Sequence, residues 1–376
     1  MRNDEVKGSA DIQKNTSSGL QIITLNRGAF HEYFMTSVPE PNEPAQSLFQ
    51  RMAEAVRARK AHIISQDVFG IPDRDGTGMQ MLKDTMGRID APVTWLEDGH
   101  ASALCGAHLR AVSGTSVKRM ELDGRIVGSV FEDDYARYCH LGGLLPGRAH
   151  MSRSEQASVI LNQMEEVLET AGMEFGHVLR TWFYNNNILD WYGDFNKVRD
   201  GFFHSKGIYD GLIPASTGVG GCNSAGTALV GGLLAVKAKS KRVRAFEVRS
   251  PLQSAAVEYG SSFSRAVELD LPDHRRLYIS GTASIDPKGI TAHLDDPEAQ
   301  VTLTMQVVHA ILVSRGMNWA DVTRGLAYFK HAEDAPLFEK YRRSNKIHPF
   351  PVVIAENCIC RDNLLFEIEV DAIRVG

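Results

Sequence analysis

Apolar residues recur at helical spacing in the C-terminal third of the chain, where Val301, Met305, Val308 and Leu312 fall on one face. That period predicts a helix with one buried side. A second stretch, 154–184 (SEQASVILNQMEEVLETAGMEFGHVLRTWFY), aligns with 298–329 without gaps when Gln156 is placed on Gln300. The same offset of 144 residues matches Gly172 with Gly316, Met173 with Met317, Val178 with Val322, Arg180 with Arg324 and Tyr184 with Tyr328. The chain therefore contains a repeat. Each copy opens on an apolar strand (YCHLGGLLPG at 138–147, RLYISGTASID at 276–286) and continues into the amphipathic helix, which a glycine closes by taking the left-handed capping conformation. A second strand (HVLRTWFY, DVTRGLAYF), a polar corner and another helix follow, and the later copy ends in VVIAENCIC and LLFEIEVDAIRV. Strands mixed with helices on one side describe an α+β unit.

A fainter echo near the start runs EYFMTSVP, then PAQSLFQRMAEAVRARKAHIISQDVFG, in the order strand, Gln-bearing helix, strand. It lacks the glycine and the arginine at matching places and reads as a partial copy. The expected organisation is a flexible tail over 1–19, a partial unit over 20–133, a first complete unit over 134–245 and a C-terminal unit over 246–376 that carries the candidate site.

Composition narrows the class. Hydrophobic residues at 43% and charged ones at 23% are the balance of a globular protein, and 376 residues exceed one ordinary core. No apolar run approaches the roughly 18 residues of a bilayer span, and the polar start resembles no secretion signal, so a cytoplasmic location is expected. The five cysteines are an odd number without metal-type pairing, which points to a reducing compartment. A net charge of −5 with dispersed Lys and Arg predicts neither a nucleic-acid nor a membrane partner. GVGGCNSAG at 218–226 lacks the residues of a phosphate loop, and the histidines lack ligand spacing, so neither a nucleotide cofactor nor a metal is expected.

The strand, helix, glycine, strand order and the terminal FEIEVDAI resemble the RidA/YjgF superfamily, whose chorismate mutase-like units end in a comparable Glu-bearing strand. Two fused units after an N-terminal portion resemble the chorismatases, and Cys360, seven positions before Glu367, resembles the spacing in those forming 3-hydroxybenzoate, where a cysteine assists rearrangement of the ring. FSRA at 263–266, SGTASID at 280–286, PASTGVG at 214–220 and LLFEIE at 364–369 carry the likeness. It implies tandem RidA/YjgF-like units, a small-molecule carboxylate substrate, and either a monomer with pseudo-symmetry or a homotrimer. It also implies cleavage of an enol ether to pyruvate and an aromatic acid, with Glu367 as general acid from its place in the motif. A RidA-like imine deaminase and a non-catalytic binding member are the alternatives; HPFPVVIAEN has Val352 and Val353 where the deaminases carry an arginine.

The residues themselves leave several readings open. Strand alternation puts Glu367, Glu369 and Asp371 on one face of LLFEIEVDA. That face is either the solvent side of a strand or a covered acidic surface, where burial and like charge would hold a carboxyl protonated. Cys360, seven positions earlier, is a small buried hydrophobe or a soft nucleophile, the latter needing a lowered pKa with Arg361 beside it. Arg265, with Tyr259 and Ser264 near it, is the first candidate to hold a carboxylate. Arg180 is a second candidate, although its recurrence at Arg324 argues for a structural role, and Arg199 is a third. The stretch RTWFYNNNILDWYGDFNKVRDGFF at 180–203 reads as a structural joint, its asparagines suited to a turn.

Overall fold

The same six-strand grammar is laid down three times. The computed structural model describes residues 10–70, 78–97, 104–147 and 150–376, the Tyr259 side chain excepted. The first unit runs β1 (Asp11–Ser17), β2 (Leu20–Arg27), β3 (Phe30–Ser37), α1 (Ala45–Ala58), β4 (His62–Gly70), α2 (Gly78–Met86), β5 (Val93–Leu96) and β6 (Leu104–Ser113). The second runs β7 (Val117–Leu122), β8 (Arg125–Glu132), β9 (Ala136–Leu144), α3 (Arg153–Thr170), β10 (Val178–Asn185), α4 (Tyr192–Ser205), β11 (Ala215–Gly220) and β12 (Leu229–Ala238). The third runs β13 (Arg244–Val248), β14 (Ala266–Asp270), β15 (His274–Ala283), α5 (Pro297–Ser314), β16 (Val322–Phe329), α6 (Pro336–Ser344), β17 (Val353–Glu356) and β18 (Phe366–Val375).

The strand orders are β1-β2-β3-β6-β4-β5, β7-β8-β9-β12-β10-β11 and β13-β14-β15-β18-β16-β17, one topology repeated. In each sheet the fourth and fifth strands of the unit pair in parallel, and a helix makes that crossover, as parallel neighbours require. The fold is thus α+β, three units of one topology in tandem.

Three expectations are corrected. The N-terminal region is a complete unit rather than a partial one. The segment expected as a tail holds β1, which pairs with β2 from Asp11 to Ser17; residues 1–9 lie outside the described residues. β1 is an edge strand with mostly exposed side chains, so its sequence lacks the apolar alternation that announces a half-buried strand. The second sheet also begins at Val117, well before 134, because β7 and β8 form a hairpin that extends it.

The recurring glutamine has a structural cause. Gln156 Oε1 accepts from the Ala228 amide at 2.8 Å, and Gln300 Oε1 accepts from the Leu365 amide at 2.8 Å. Each ties the first turn of its helix to the residue just before the last strand of its unit. In α1 the corresponding fourth position is Leu48, fully buried, which makes no such bond and blurs the first copy in sequence. Gly172 and Gly316, at φ 71° and 67°, take the left-handed conformation at the ends of α3 and α5.

Each sheet buries one face under its own helices. Val301, Met305, Val308 and Leu312 of α5 pack with Leu277, Ile279, Ile368 and Val370, each such side chain stabilising the fold by about 1.5–3 kcal/mol. The opposite faces of the three sheets turn toward one another. Val112, Tyr138, Leu234 and Tyr278 share one inter-unit cluster, and Phe69, Tyr184 and Tyr328 share another. Among the described residues no helix is long and apolar enough to cross a membrane.

Candidate active site

Ladder register identifies equivalent positions in the three units. β18 sets Glu367 opposite Tyr328, Glu369 opposite Leu326 and Asp371 opposite Arg324. β12 places Val230, Gly232 and Leu234 opposite Tyr184, Trp182 and Arg180. β6 places Gly106, His108 and Arg110 opposite Phe69, Asp67 and Ser65. An acid at the first of these positions therefore occurs once in the chain, on β18.

Glu367 sits at the floor of a cleft between the second and third units. The second unit supplies Tyr192 and Arg199 from α4 and Ser216 and Gly218 from β11. The third supplies Phe263 and Arg265 before β14, Gly281 and Ala283 from β15, and Cys360 on the approach to β18. The cleft is tight and opens to solvent, with about 50 Å³ inside it that a water-sized sphere can occupy.

The β15 ladder is irregular between Ile279 and Thr282, and Gly281 lies in that break. A Cβ at Gly281 would stand 2.0 Å from Glu367 Oε1, so only glycine lets the carboxyl lie there. The glycine of SGTASID thus serves close approach to the acid.

Glu367 is 4% exposed, and burial, reinforced by the charge of Glu369, pushes its pKa up to about 8 against the opposing pull of Arg180 and Arg265. At neutral pH it is a protonated acid facing a cleft that also contains arginines. The acidic face of LLFEIEVDA is accordingly a covered surface and not the solvent side of a strand.

Arg265 is 2% exposed and lines the cleft; its Nε donates to the Ser254 carbonyl at 2.9 Å, and its guanidinium lies 5.7 Å from the centre of the Phe263 ring. Arg199 is 1% exposed, and its Nη2 donates to Asn196 Oδ1 at 2.9 Å and its Nη1 to Ser216 Oγ at 3.4 Å. The two guanidiniums come from different units and meet around one space. The 180–203 stretch is consequently more than a joint. Asn187 does make the left-handed turn, at φ 50°, and Phe195 is core, but α4 also delivers Tyr192 and Arg199 to the cleft.

The other candidates fall differently. Ser264 turns away, its amide bonded to the Pro214 carbonyl at 3.0 Å while Ser261 and Phe263 face the cleft, as strand-like alternation dictates. Arg180 does not line the cleft; it is fully buried, donating from Nη2 to Glu369 Oε2 and to Thr217 Oγ1, both at 2.7 Å. Its repeat partner Arg324 meets the same carboxylate through Nη1, so the repeated arginines converge on one buried anion. Trp182 lies between them, its ring centre 5.2 Å from the Arg180 guanidinium carbon and 5.4 Å from that of Arg324. Tyr259 has its side chain outside the described residues.

Cys360 does line the cleft, but burial first and the Glu367 charge second push its thiol up to about 12. The lowered pKa that a thiolate nucleophile needs is absent, because Arg361 spends its Nη1 on the Gly289 carbonyl at 2.8 Å and offsets burial only weakly. Among the described residues no group of three His, Cys, Asp or Glu side chains is placed to hold a metal ion.

Sequence reasoning passed over Gly281, Thr217, Tyr192 and Glu369 as parts of one site. PASTGVG and SGTASID contained two of them, but nothing in the sequence showed that β11 of one unit faces β15 of the next.

No family model matches the chain. It is 27% identical over 215 residues to a chorismatase of Streptomyces rapamycinicus, a match covering 50% of this chain and 62% of the relative. It is 26% identical over 223 residues to a chorismatase of Streptomyces hygroscopicus, covering 53% of this chain and 62% of that one. The chain thus spans less than two thirds of the length of either curated relative. A chorismatase crystal structure superposes with a TM-score of 0.64 over 91% of this chain and 98% of its own, at 19% identity, a likeness of fold.

Proposed function

We propose that the protein is a chorismatase-like enzyme that cleaves the enol ether of chorismate, or of a related enolpyruvyl cyclohexadiene acid, to pyruvate and an aromatic acid such as 3-hydroxybenzoate. The observation that carries this reading is a carboxyl held protonated near neutral pH, Glu367, in one cleft with the guanidiniums of Arg265 and Arg199. The likeness to the two Streptomyces chorismatases supports it.

The chemistry asks for these groups. Arg265 and Arg199 hold the substrate's two carboxylates, for which a guanidinium offers paired donors. Glu367 gives its proton to the methylene carbon of the enol ether, which makes the adjacent carbon electrophilic. Water adds there, and the hemiketal collapses to pyruvate while the ring keeps the ether oxygen. Loss of one water from the ring then makes it aromatic, so the overall change needs no net water. A raised pKa suits Glu367 to the first step, because the acid must be protonated at working pH and still able to release its proton. Once ionised, Glu367 can take a proton back as the hemiketal collapses, and Cys360, a neutral thiol lining the same cleft, is the residue assigned to steering the ring toward 3-hydroxybenzoate.

The test is to mix purified protein with chorismate and follow pyruvate in a coupled assay beside Glu367→Gln. Release by the wild type, reduced about 10²–10⁴-fold in the variant, is expected for a general acid. A wild type that releases no pyruvate overturns the reading, and an amino-acid-derived imine is then the next substrate to try.

A further inference from the structure

A second carboxylate anchors the cleft acid from behind, and the chemistry above does not use it. Glu369, two residues along β18 and fully buried, accepts bonds from Arg180 Nη2 at 2.7 Å, Trp182 Nε1 at 3.1 Å, Thr217 Oγ1 and Arg324 Nη1. Arg180 and Trp182 belong to β10, Thr217 to β11 and Arg324 to β16, and Arg324 Nη2 also lies 3.6 Å from Asp67 Oδ2 on β4. The carboxylate is therefore bonded by the second and third units, and Arg324 alone links it onward to the first. Burial alone would protonate it, but Arg324 and Arg180 outweigh burial and keep it ionised.

Thr217 connects this anion to the cleft. Its hydroxyl accepts from Arg180 Nη2 at 2.7 Å and from the Gly281 amide at 3.1 Å, and it donates to Glu369. That uses its one proton and both lone pairs, so it is fixed in rotation. Gly281 is the residue against which the Glu367 carboxyl rests. A continuous path thus runs from Glu369 through Thr217 and the Gly281 backbone to Glu367, closed by β18 itself. The corresponding positions to Glu369 in the other two sheets, Gly232 and His108, carry no acid.

We propose that Glu369 is a positioning residue for the cleft acid Glu367, acting through Thr217 and the Gly281 backbone. The inference rests on the reading of Glu367 as the reacting acid. The fixed charge of Glu369 is also the largest influence after burial that keeps Glu367 protonated. The other groups facing Glu367 are Arg180 from β10, Arg199 and Tyr192 from α4, Arg265 ahead of β14, and Cys360 and Arg361 on the approach to β18. Its neighbour across the ladder on β16 is Tyr328.

The test uses the full chain with carboxyl-¹³C glutamate, the Glu367 resonance being assigned by its disappearance in Glu367→Gln. Thr217→Val, which removes the link and no charge, is expected to move that resonance and to lower kcat at least about tenfold with KM little changed. Thr217→Ser is expected to restore both. Glu369→Gln is expected to lower the pH midpoint of the Glu367 resonance by about one pH unit or more. An unmoved resonance in Thr217→Val, or an unmoved midpoint in Glu369→Gln, overturns the inference. If the wild type releases no pyruvate, the substrate reading fails, while the resonance and its titration still decide on positioning. If Glu369→Gln does not fold, because it strands two buried arginines, Thr217→Val decides alone.

Discussion

β18 and β12 hold the same place in sheets of one topology, yet their inward faces differ sharply in charge. β18 presents Glu367, Glu369 and Asp371 where β12 presents Val230, Gly232 and Leu234. The fourth strands on either side remain alike, with Arg180 matching Arg324 and Tyr184 matching Tyr328. The repeat was kept where it serves packing between units and abandoned where charge had to be concentrated. Arginines from two units are then directed at one carboxylate of one strand, and the next carboxylate along that strand is left protonated in a cleft.

The largest effect on stability should come from upsetting that concentration. Arg180→Met leaves Glu369 with Arg324 as its one hydrogen-bonded cation in a fully buried place, and losing one partner of a buried pair costs about 3–5 kcal/mol. Denaturant unfolding checks this, and a variant that kept its stability and only weakened substrate binding would return Arg180 to the role first considered for it. A smaller cost is expected from placing the acid in the other sheet. Val230 is 2% exposed in an apolar cluster with Phe69, Leu96 and Tyr184, so Val230→Glu buries a carboxyl among apolar side chains. A loss of about 1–3 kcal/mol is expected, and a neutral result would mean that β12 tolerates the acid as β18 does.

The third effect is a pH dependence. Folded Glu367 titrates near 8 against an ordinary 4.5, so between those values the folded protein holds a proton that the unfolded chain has released. Stability therefore falls as pH rises through that window and levels off above it. Thermal unfolding of Glu367→Gln against the wild type should show the variant gaining relative stability from pH 5 to pH 8; parallel curves would mean that the acid is not buried as described.

How much was legible beforehand follows residue by residue. Gln156 and Gln300, or Gly172 and Gly316, could be paired in sequence because each acts locally, the glutamines tying a helix to a nearby strand and the glycines ending a helix. The complete first unit was less visible because Leu48 replaces the glutamine and β1 is a polar edge strand. Of the site, Glu367, Cys360, Arg265 and Arg199 were named in advance and share one cleft. Arg180 and Ser264 were named and do not line it, since one is occupied by a buried ion pair and the other faces away along an extended segment.

The sequence by itself determined the repeat, the helix faces, the capping glycines and the acidic alternation of β18, because each depends on residues within a few positions or on one fixed offset. Only the tertiary structure decided which of three acids on that strand opens into a cleft. It also decided that a side chain at position 281 would displace the Glu367 carboxyl, that α4 takes part in the site, and that Cys360 is a neutral thiol. Those properties depend on desolvation and on charges brought together from separate units, such as Arg180, Glu369 and Arg324, and no local pattern records such distances.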